Sequence, residues 1–262
     1  MQLSKSAKIT IYPPDRQGTG AFDGGKITEI KPIDFPGGTS AAKRIGPLFY
    51  WAWASAKGDG VIGLHPHQGF EIMSYVIAGE IGHSDTLGTE SRVGAGGAQV
   101  MQTGSGVYHQ EEMFGEQTEF FQIWLEPDLQ KAIKQPPTYA ECNQHDFPVT
   151  DKNGASIKTI IGEGAPISIV AKVTMDDVTI QPGDTYHRSL GVGNCLAVVA
   201  IHGKGTWYNA ENDNSVPFTM KDFSVIEAGG DTNVSVRADQ EDKLRLAIIE
   251  VPSQVEYPLY GE

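Results

Sequence analysis

Short hydrophobic runs separated by glycine-rich turns make up most of this chain. Examples of these runs are "EIMSYVIAGEIGH" (71–83), "EFFQIWLE" (119–126), "NCLAVVAIHGKGTWY" (194–208) and "KLRLAIIEV" (243–251). Runs rich in β-branched and aromatic residues and spaced by turn signals are typical of a β-sandwich or β-barrel. One helix is predicted, at "DLQKAIKQ" (128–135), because Pro136 and Pro137 follow it and cannot continue a helix. The pattern therefore predicts an all-β protein.

The two halves of the chain resemble diverged copies of one β unit. The parallel segments are "YVIAGEIGHSD" (75–85) with "VVAIHGKGTWY" (198–208), and "EFFQIWLEP" (119–127) with "LRLAIIEVP" (244–252). Their offset of about 124 residues indicates duplication of a unit of roughly 100 residues. We expect an N-terminal unit over residues 1–138 and a C-terminal unit over 139–262. The proline-containing stretch 134–148 would be the linker between them.

Length, charge and composition exclude several classes of protein. A chain of 262 residues can bury a substantial core. No apolar run approaches the ~20 residues of a membrane span, and the first residues lack the apolar core of a signal peptide, so we expect a cytoplasmic protein. A net charge of −13 without a basic cluster argues against nucleic-acid binding. Cys142 and Cys195 are too few for a disulfide framework, and we expect both to be reduced.

Two histidines one residue apart are the first candidates for chemistry. His65 and His67 lie within "IGLHPHQGFE", residues 62 to 71. Residues i and i+2 of a β-strand point to the same face, so the two imidazoles would project together. On its own this motif is equally compatible with ordinary surface or core histidines.

A second pair with the same spacing strengthens the interpretation as a metal site. His109 and Glu111 follow the glycine turn in "GSGVYHQEE" (104–112). Three imidazoles and one carboxylate form a nitrogen and oxygen ligand set that favours Fe(II), Mn(II), Ni(II), Cu(II) or Zn(II). Such a set would leave coordination positions for water, dioxygen or a chelating substrate. Glu71 could reach the same metal if its strand stayed regular, so the pattern leaves Glu71 and Glu111 as competing ligands.

Residues 60 to 140 resemble the pirin family of the cupin superfamily. The resemblance rests on "HPHQGFE", "YVIAGEIGHSDTLG", "VGAGGAQVMQTGSGVYHQEE" and "FFQIWLEP". Pirins are bicupins, with two jelly-roll-like cupin β-barrels in tandem, and the N-terminal barrel holds a metal, usually iron. The resemblance implies one divalent metal, Fe(II) before Mn, Ni, Cu or Zn, bound by His65, His67, His109 and Glu111. It assigns Glu71 to the barrel wall or to contacts behind the ligands.

The resemblance also implies two functions of different classes. Some pirins open flavonols such as quercetin with dioxygen, which implies a quercetin 2,3-dioxygenase-like oxidoreductase with a small flavonol-like aromatic substrate. In that reaction Glu111 would be the catalytic base that takes the substrate's hydroxyl proton. Other pirins are metal-dependent partners of transcription regulators. They imply the alternative, a non-enzymatic, redox-sensitive interaction protein with a regulatory protein partner.

The C-terminal half offers no comparable ligand set. The repeat offset places the counterparts of the four ligands near Ser189, Gly191, Asn233 and Ser235. We therefore predict a degenerate C-terminal cupin without metal, with an off-register site at His187 as the alternative.

Three polar residues outside the ligand set, His83, Asp85 and Gln122, could have a structural or a functional role. His83 and Asp85, again at i and i+2, are interpreted as part of a surface hairpin. Gln122 would donate to a substrate oxygen or a ligand carboxylate, or would be an ordinary buried amide.

Overall fold

The computed structural model describes residues 7–209 and 212–261 of the chain. These residues form antiparallel β-sheets, one helix and a few single turns of 3-10 helix. The predictions of an all-β protein and of a helix in the segment 128–135 are confirmed. The helix α1 (Leu129–Ala132) is one turn long, and the Asp128 side chain caps it by accepting a hydrogen bond from the Gln130 backbone N–H at 3.2 Å.

Two compact units make up the structure, and each gathers separate segments of the chain. The N-terminal unit comprises Arg16–Phe147, Pro166–Lys172 and the described residues from Val255 onward. The C-terminal unit comprises the described residues up to Asp15 together with Pro148–Ala165 and Val173–Gln254.

The strands of the N-terminal unit form one sheet with the order β10-β8-β6-β9-β4-β3-β2, and β5 and β7 pair additionally with β9 and β6. These strands are β2 (Gly18–Phe22), β3 (Ile27–Ile33), β4 (Leu48–Lys57), β5 (Gly60–His67), β6 (Glu71–Asp85), β7 (Glu90–Gly94), β8 (Ala98–Gln102), β9 (Val107–Leu125) and β10 (Thr138–Cys142). Apolar side chains from β3, β4, β6 and β9 form a shared buried cluster that includes Ile27, Val76 and Phe120.

The C-terminal unit contains two sheets with the orders β1-β18-β15-β20-β13-β12-β11 and β14-β19-β16-β17. Their strands are β1 (Ala7–Tyr12), β11 (Val149–Lys152), β12 (Ala155–Ile161), β13 (Thr174–Ile180), β14 (Thr185–Leu190), β15 (Asn194–His202), β16 (Lys204–Asn209), β17 (Asn212–Thr219), β18 (Phe223–Ala228), β19 (Thr232–Ala238) and β20 (Leu244–Pro252). Side chains of both sheets share one apolar core, including Val178, Trp207, Val236 and Leu246.

A single boundary after residue 138 would assign two strands to the wrong unit. β1 pairs with β18 of the C-terminal unit, and β10 pairs with β8 of the N-terminal unit. The stretch predicted as a linker, 134–148, therefore contains an edge strand of the N-terminal sheet. The units differ from the consecutive halves 1–138 and 139–262, while the metal roles assigned to those halves stay predictions.

The long pair β6–β9 bends at its middle, and the bend separates two regions of the N-terminal unit. The ladder changes register on both sides of Ala78. Gly79 has φ +74°, and a Cβ there would lie 2.5 Å from the Gln117 carbonyl oxygen, so only glycine fits the bend without displacement. Beyond it, β6 runs opposite residues 109–114 of β9, where the candidate ligands lie.

Among the described residues no helix has the length and apolar character needed to span a membrane.

Candidate metal centre

Two neighbouring strands, β5 and β9, bring the predicted ligands together. On one side of β9, His65 lies directly opposite His109, and His67 lies opposite Val107. One extra residue of β5 interrupts this ladder between Ile62 and His65, because Ile62 lies opposite Glu111. This β-bulge lets Ile62 and His65 face the same side of the sheet although they are three residues apart.

The three histidines form a compact group that fits a metal ion. Ligand atoms of His65, His67 and His109 all lie within 4.8 Å of one another, and the Nε2 atoms of His65 and His109 are 3.0 Å apart. Two nitrogens bonded to one metal at about 2.0–2.1 Å, at right angles, would be about 3 Å apart. Imidazole is a common ligand of zinc, copper, iron and nickel, so the donor set also suits a transition metal.

Hydrogen bonds at Nδ1 orient two of these rings. The His65 Nδ1 lies 2.7 Å from the Gly63 carbonyl oxygen, which can only accept, so His65 carries its proton on Nδ1. The His109 Nδ1 lies 3.4 Å from the His83 Nδ1. In both residues the partner at Nδ1 leaves Nε2 for the shared group, an arrangement typical of metal-binding histidines.

The surroundings keep two of the imidazoles neutral at physiological pH. Burial, reinforced by the nearby His65, lowers the pKa of His67 to about 4. Burial and the neighbouring imidazoles lower the pKa of His109 to about 2. Neutral imidazole is the form that binds metal, so these histidines need not lose a proton before a metal enters.

Glu111, the predicted fourth ligand, is buried on the strand that carries His109 but is not part of the histidine group. Its carboxylate accepts hydrogen bonds from Gln122 Nε2, at 3.0 and 2.9 Å, and from Ser74 Oγ at 3.3 Å. Burial raises the pKa of Glu111, and the hydrogen bonds and the nearby His65 oppose this. Gln122 therefore contacts a predicted ligand carboxylate, one of its anticipated roles. Coordination of a metal by Glu111 stays a prediction.

The competing residue, Glu71, is engaged elsewhere. Its carboxylate accepts the backbone N–H groups of Val170 at 2.7 Å and Ala171 at 2.8 Å, and the Gln102 amide at 2.8 Å. These three donors occupy both carboxylate oxygens. Glu71 thus fastens the segment 166–172 within the N-terminal unit, as expected of a wall residue.

His83 and Asp85 lie in the β6–β7 hairpin, as expected, but the prediction that they lie on the surface is wrong. Their side chains are 1% and 0% exposed, and His83 Nε2 lies 2.9 Å from Asp85 Oδ2. Burial would raise the pKa of Asp85, but hydrogen bonds from His83 and from the backbone N–H groups of Thr89 and Leu87 lower it. The pair lies directly behind His109. Its i, i+2 spacing was visible in the sequence, whereas the ladder that sets Asp85 opposite His109 was not.

A cluster of aromatic rings, buried or partly buried, adjoins the histidine group. The Trp124 ring lies edge-on to His67, with centroids 4.7 Å apart, and also contacts Phe35, Tyr50 and Phe70. The Trp124 Nε1 is buried and has no hydrogen-bond partner among the described residues. Aromatic rings of this kind favour contact with a flat aromatic ligand.

A second buried carboxyl, Glu29 on β3, gives a pH-dependent prediction. It accepts a hydrogen bond from the Tyr50 hydroxyl at 3.3 Å and lies 3.9 Å from Lys31 Nζ. Burial raises its pKa from 4.5 to about 7, although Lys31 and Tyr50 oppose the shift. Because the folded protein binds this proton more tightly, its contribution to stability is present below pH 4.5 and is lost as the pH rises through 7.

Glu29→Gln should remove this pH dependence. Relative to the variant, the metal-free wild type should lose roughly 3 kcal/mol of unfolding free energy as the pH rises through this range. Urea unfolding at pH 5 and pH 8 measures the difference, with the exposed Glu90→Gln as control. A constant difference between wild type and Glu29→Gln at both pH values would contradict it.

In the C-terminal unit, the residues found by the repeat offset face away from the core. His187 pairs with Ser235, and Ser189 with Asn233, both in the β14–β19 ladder. Their side chains hydrogen-bond to each other at 2.8 Å in each pair on a largely exposed face. An offset of 124 residues therefore selects outward-facing positions, one residue away from the inward-facing positions of this unit.

The inward-facing positions of the same ladder carry no imidazole. Leu190 and Val234 belong to the apolar core. Arg188 forms ion pairs with Asp176 at 2.8 Å and Glu250 at 2.9 Å, and its side chain is largely buried. A fixed guanidinium charge is unfavourable for a metal cation nearby. A metal-free C-terminal unit stays a prediction, supported by this arrangement.

Comparison of the sequence with known proteins places it beside the pirins. The Pirin family model matches residues 52–125. A pirin-like protein of Caulobacter vibrioides is 36% identical over 172 residues, covering 62% of this chain and 69% of that protein. Pirin-like protein 2 of Arabidopsis thaliana is 31% identical over 193 residues, covering 71% of this chain and 59% of that protein. The match thus spans less than two thirds of the Arabidopsis protein.

Solved structures with the same fold cover nearly the whole chain. The bacterial pirin YhhW of Escherichia coli, in complex with nickel(II), superposes with a TM-score of 0.75 at 18% identity, covering 95% of this chain and 100% of that chain. Quercetin 2,3-dioxygenase of Acinetobacter baumannii gives a TM-score of 0.76 at 19% identity, covering 93% and 79%. This likeness establishes the fold, and the predicted tandem-cupin architecture is confirmed.

Proposed function

The chain belongs to the pirin family, and on this premise we propose that it is a mononuclear metal-dependent dioxygenase that opens flavonols such as quercetin. The observation that carries the proposal is the group of His65, His67 and His109, whose ligand atoms lie within 4.8 Å of one another beside a cluster of aromatic rings. The quercetin dioxygenase that shares the fold supports this choice of substrate class.

The histidines would hold one divalent metal ion, and Glu111 would complete the ligand set. We propose Fe(II) as the native ion; the nickel(II) complex of the related pirin supports a site that also accepts nickel. When bound, the metal would supply Lewis acidity and electron transfer to dioxygen. Of the four proposed ligands, only Glu111 can also accept a proton from the substrate.

Glu111 would act as the base that takes the flavonol hydroxyl proton. A carboxyl whose pKa is raised by burial is a stronger base than one in water. The Gln122 amide donates to both carboxylate oxygens, which holds the carboxylate in one orientation. Trp124 and its aromatic neighbours would contact the flavonol rings and exclude water from them.

The proposal is tested by anaerobic titration of the Fe(II)-loaded protein with quercetin, followed by admission of air. We expect a change in the quercetin absorption spectrum on binding, then its decay with consumption of dioxygen and appearance of a ring-opened product. Glu111→Gln should lose turnover by about 10²-fold or more, because it removes a general base. If metal-loaded wild-type protein gave no spectral change and no ring-opened product, a flavonol substrate would be ruled out.

A further inference from the structure

The buried residues behind the metal centre form a chain of hydrogen bonds that ends on His109. Asp85 Oδ2 lies 2.9 Å from His83 Nε2, and His83 Nδ1 lies 3.4 Å from His109 Nδ1. On its other side, His109 Nε2 lies 3.0 Å from His65 Nε2. We propose that Asp85 and His83 are positioning residues that fix the tautomer of His109, so that its Nε2 presents a lone pair to the metal. This inference rests on the proposed function.

The proton positions follow from the partners along the chain. An ionised carboxylate can only accept, so Asp85 requires the proton of His83 on Nε2. The remaining ring nitrogen of His83, Nδ1, is then the acceptor. The facing Nδ1 of His109 must donate to it, which leaves the His109 Nε2 without a proton. The His109 Nε2 and the His65 Nε2 then face each other as two lone pairs 3.0 Å apart, an arrangement that suits a shared metal ion.

Burial and packing hold the two positioning residues rigid. Asp85 Oδ1 accepts the backbone N–H groups of Leu87 at 2.8 Å and Thr89 at 3.1 Å, which anchors the carboxylate to its own turn. The His83 ring stacks on Tyr139 of β10 with centroids 4.3 Å apart and planes at 22°. Water does not compete for the hydrogen bond, because both side chains are almost fully buried.

His83 is placed to act through His109 and not as a ligand itself. The imidazole group suited to a metal contains His65, His67 and His109. His83 contacts the opposite edge of the His109 ring, at Nδ1, away from the Nε2 that faces His65. His65 has the equivalent partner in the Gly63 carbonyl oxygen. The Nδ1 of His65 is thus engaged by a backbone carbonyl, and the Nδ1 of His109 by the His83 side chain.

Asp85→Asn tests the inference because it reverses one hydrogen bond. The carbonyl oxygen of the substituted side chain can still accept from the turn, while its amide would donate toward His83 Nε2. The His83 proton then moves to Nδ1, and His109 can avoid two facing protons by carrying its own on Nε2. We expect nickel(II) affinity, measured by competition with a chelating dye, to fall by about 10–100-fold.

The tautomer is read directly in the metal-free protein. Ring 15N chemical shifts of His109 should show the proton on Nδ1 in the wild type and on Nε2 in Asp85→Asn. A structural defect alone would not exchange the two nitrogens. His83→Phe keeps an aromatic ring against Tyr139 but has no acceptor, so it should lose nickel affinity to a similar extent. Combining it with Asp85→Asn should add little, because the two residues act in series.

Asp242→Asn is the matched control. His202 Nε2 lies 2.6 Å from Asp242 Oδ2, but this pair is exposed and lies in the C-terminal unit. Its substitution should leave nickel affinity unchanged. The inference is overturned if Asp85→Asn binds nickel within about twofold of the wild type, or if its affinity falls without exchange of the His109 proton. Wild-type protein that bound neither nickel nor iron would instead defeat the proposed function, while the ring spectra would still decide the tautomer.

Discussion

His109→Ala is expected to abolish metal binding by the N-terminal unit and, with it, the ring opening of quercetin. His109 is the histidine through which the centre is connected: its Nε2 faces His65, its ring adjoins His67, and its Nδ1 contacts His83. Without it, His65 and His67 remain on one strand with no imidazole opposite them. Two adjacent imidazoles bind a divalent metal far more weakly than three that converge.

Elemental analysis after dialysis against weak chelator measures this effect. We expect about one metal ion per wild-type chain and almost none per His109→Ala chain, with quercetin turnover reduced to that of free metal. His187→Ala is the control, because His187 lies on an exposed face of the C-terminal unit and contacts Ser235. If His109→Ala retained the metal and His187→Ala lost it, the metal centre would lie in the other unit.

Glu71→Ala should produce the second large effect, a loss of folding stability without a loss of bound metal. The substitution leaves the backbone N–H groups of Val170 and Ala171 and the Gln102 amide without their acceptor. Each such loss costs roughly 1–3 kcal/mol, less where water can enter, so the free energy of unfolding should fall by about 2–5 kcal/mol. Metal bound per folded molecule should stay near that of the wild type.

Urea unfolding of the metal-free protein, with metal analysis of the folded fraction, separates the two roles. Glu71→Gln keeps one acceptor oxygen and should lose less stability than Glu71→Ala. A Glu71→Ala protein of undiminished stability that had lost its metal would return Glu71 to the ligand set. The same measurements on Glu111→Ala should give the reverse pattern, with metal lost.

Local patterns predicted the strands and the pairing of histidines on one face. Alternation in β5 and β9 places His65 with His67, and His109 with Glu111, whatever the rest of the fold does. The helix Leu129–Ala132 is likewise local, since the Asp128 side chain caps its first turn. These features depend on residues within a few positions of each other.

Features that depend on the ladder between distant strands could not be predicted from the pattern. The donors to Glu71 come from residues 170 and 171, about a hundred positions along the chain. The burial of His83 depends on β6 lying opposite β9. The repeat offset was one residue out of step at β14, and such a shift exchanges the two faces of a strand.

The irregularity between Ile62 and His65 has a consequence for how this protein can evolve. If β5 paired with β9 without the bulge, either Ile62 could pack inward or His65 could point toward His109, but not both. The additional residue uncouples these demands, and its Gly63 oxygen also orients the imidazole. Substitutions that improve packing at one end of the strand can therefore accumulate without disturbing chemistry at the other.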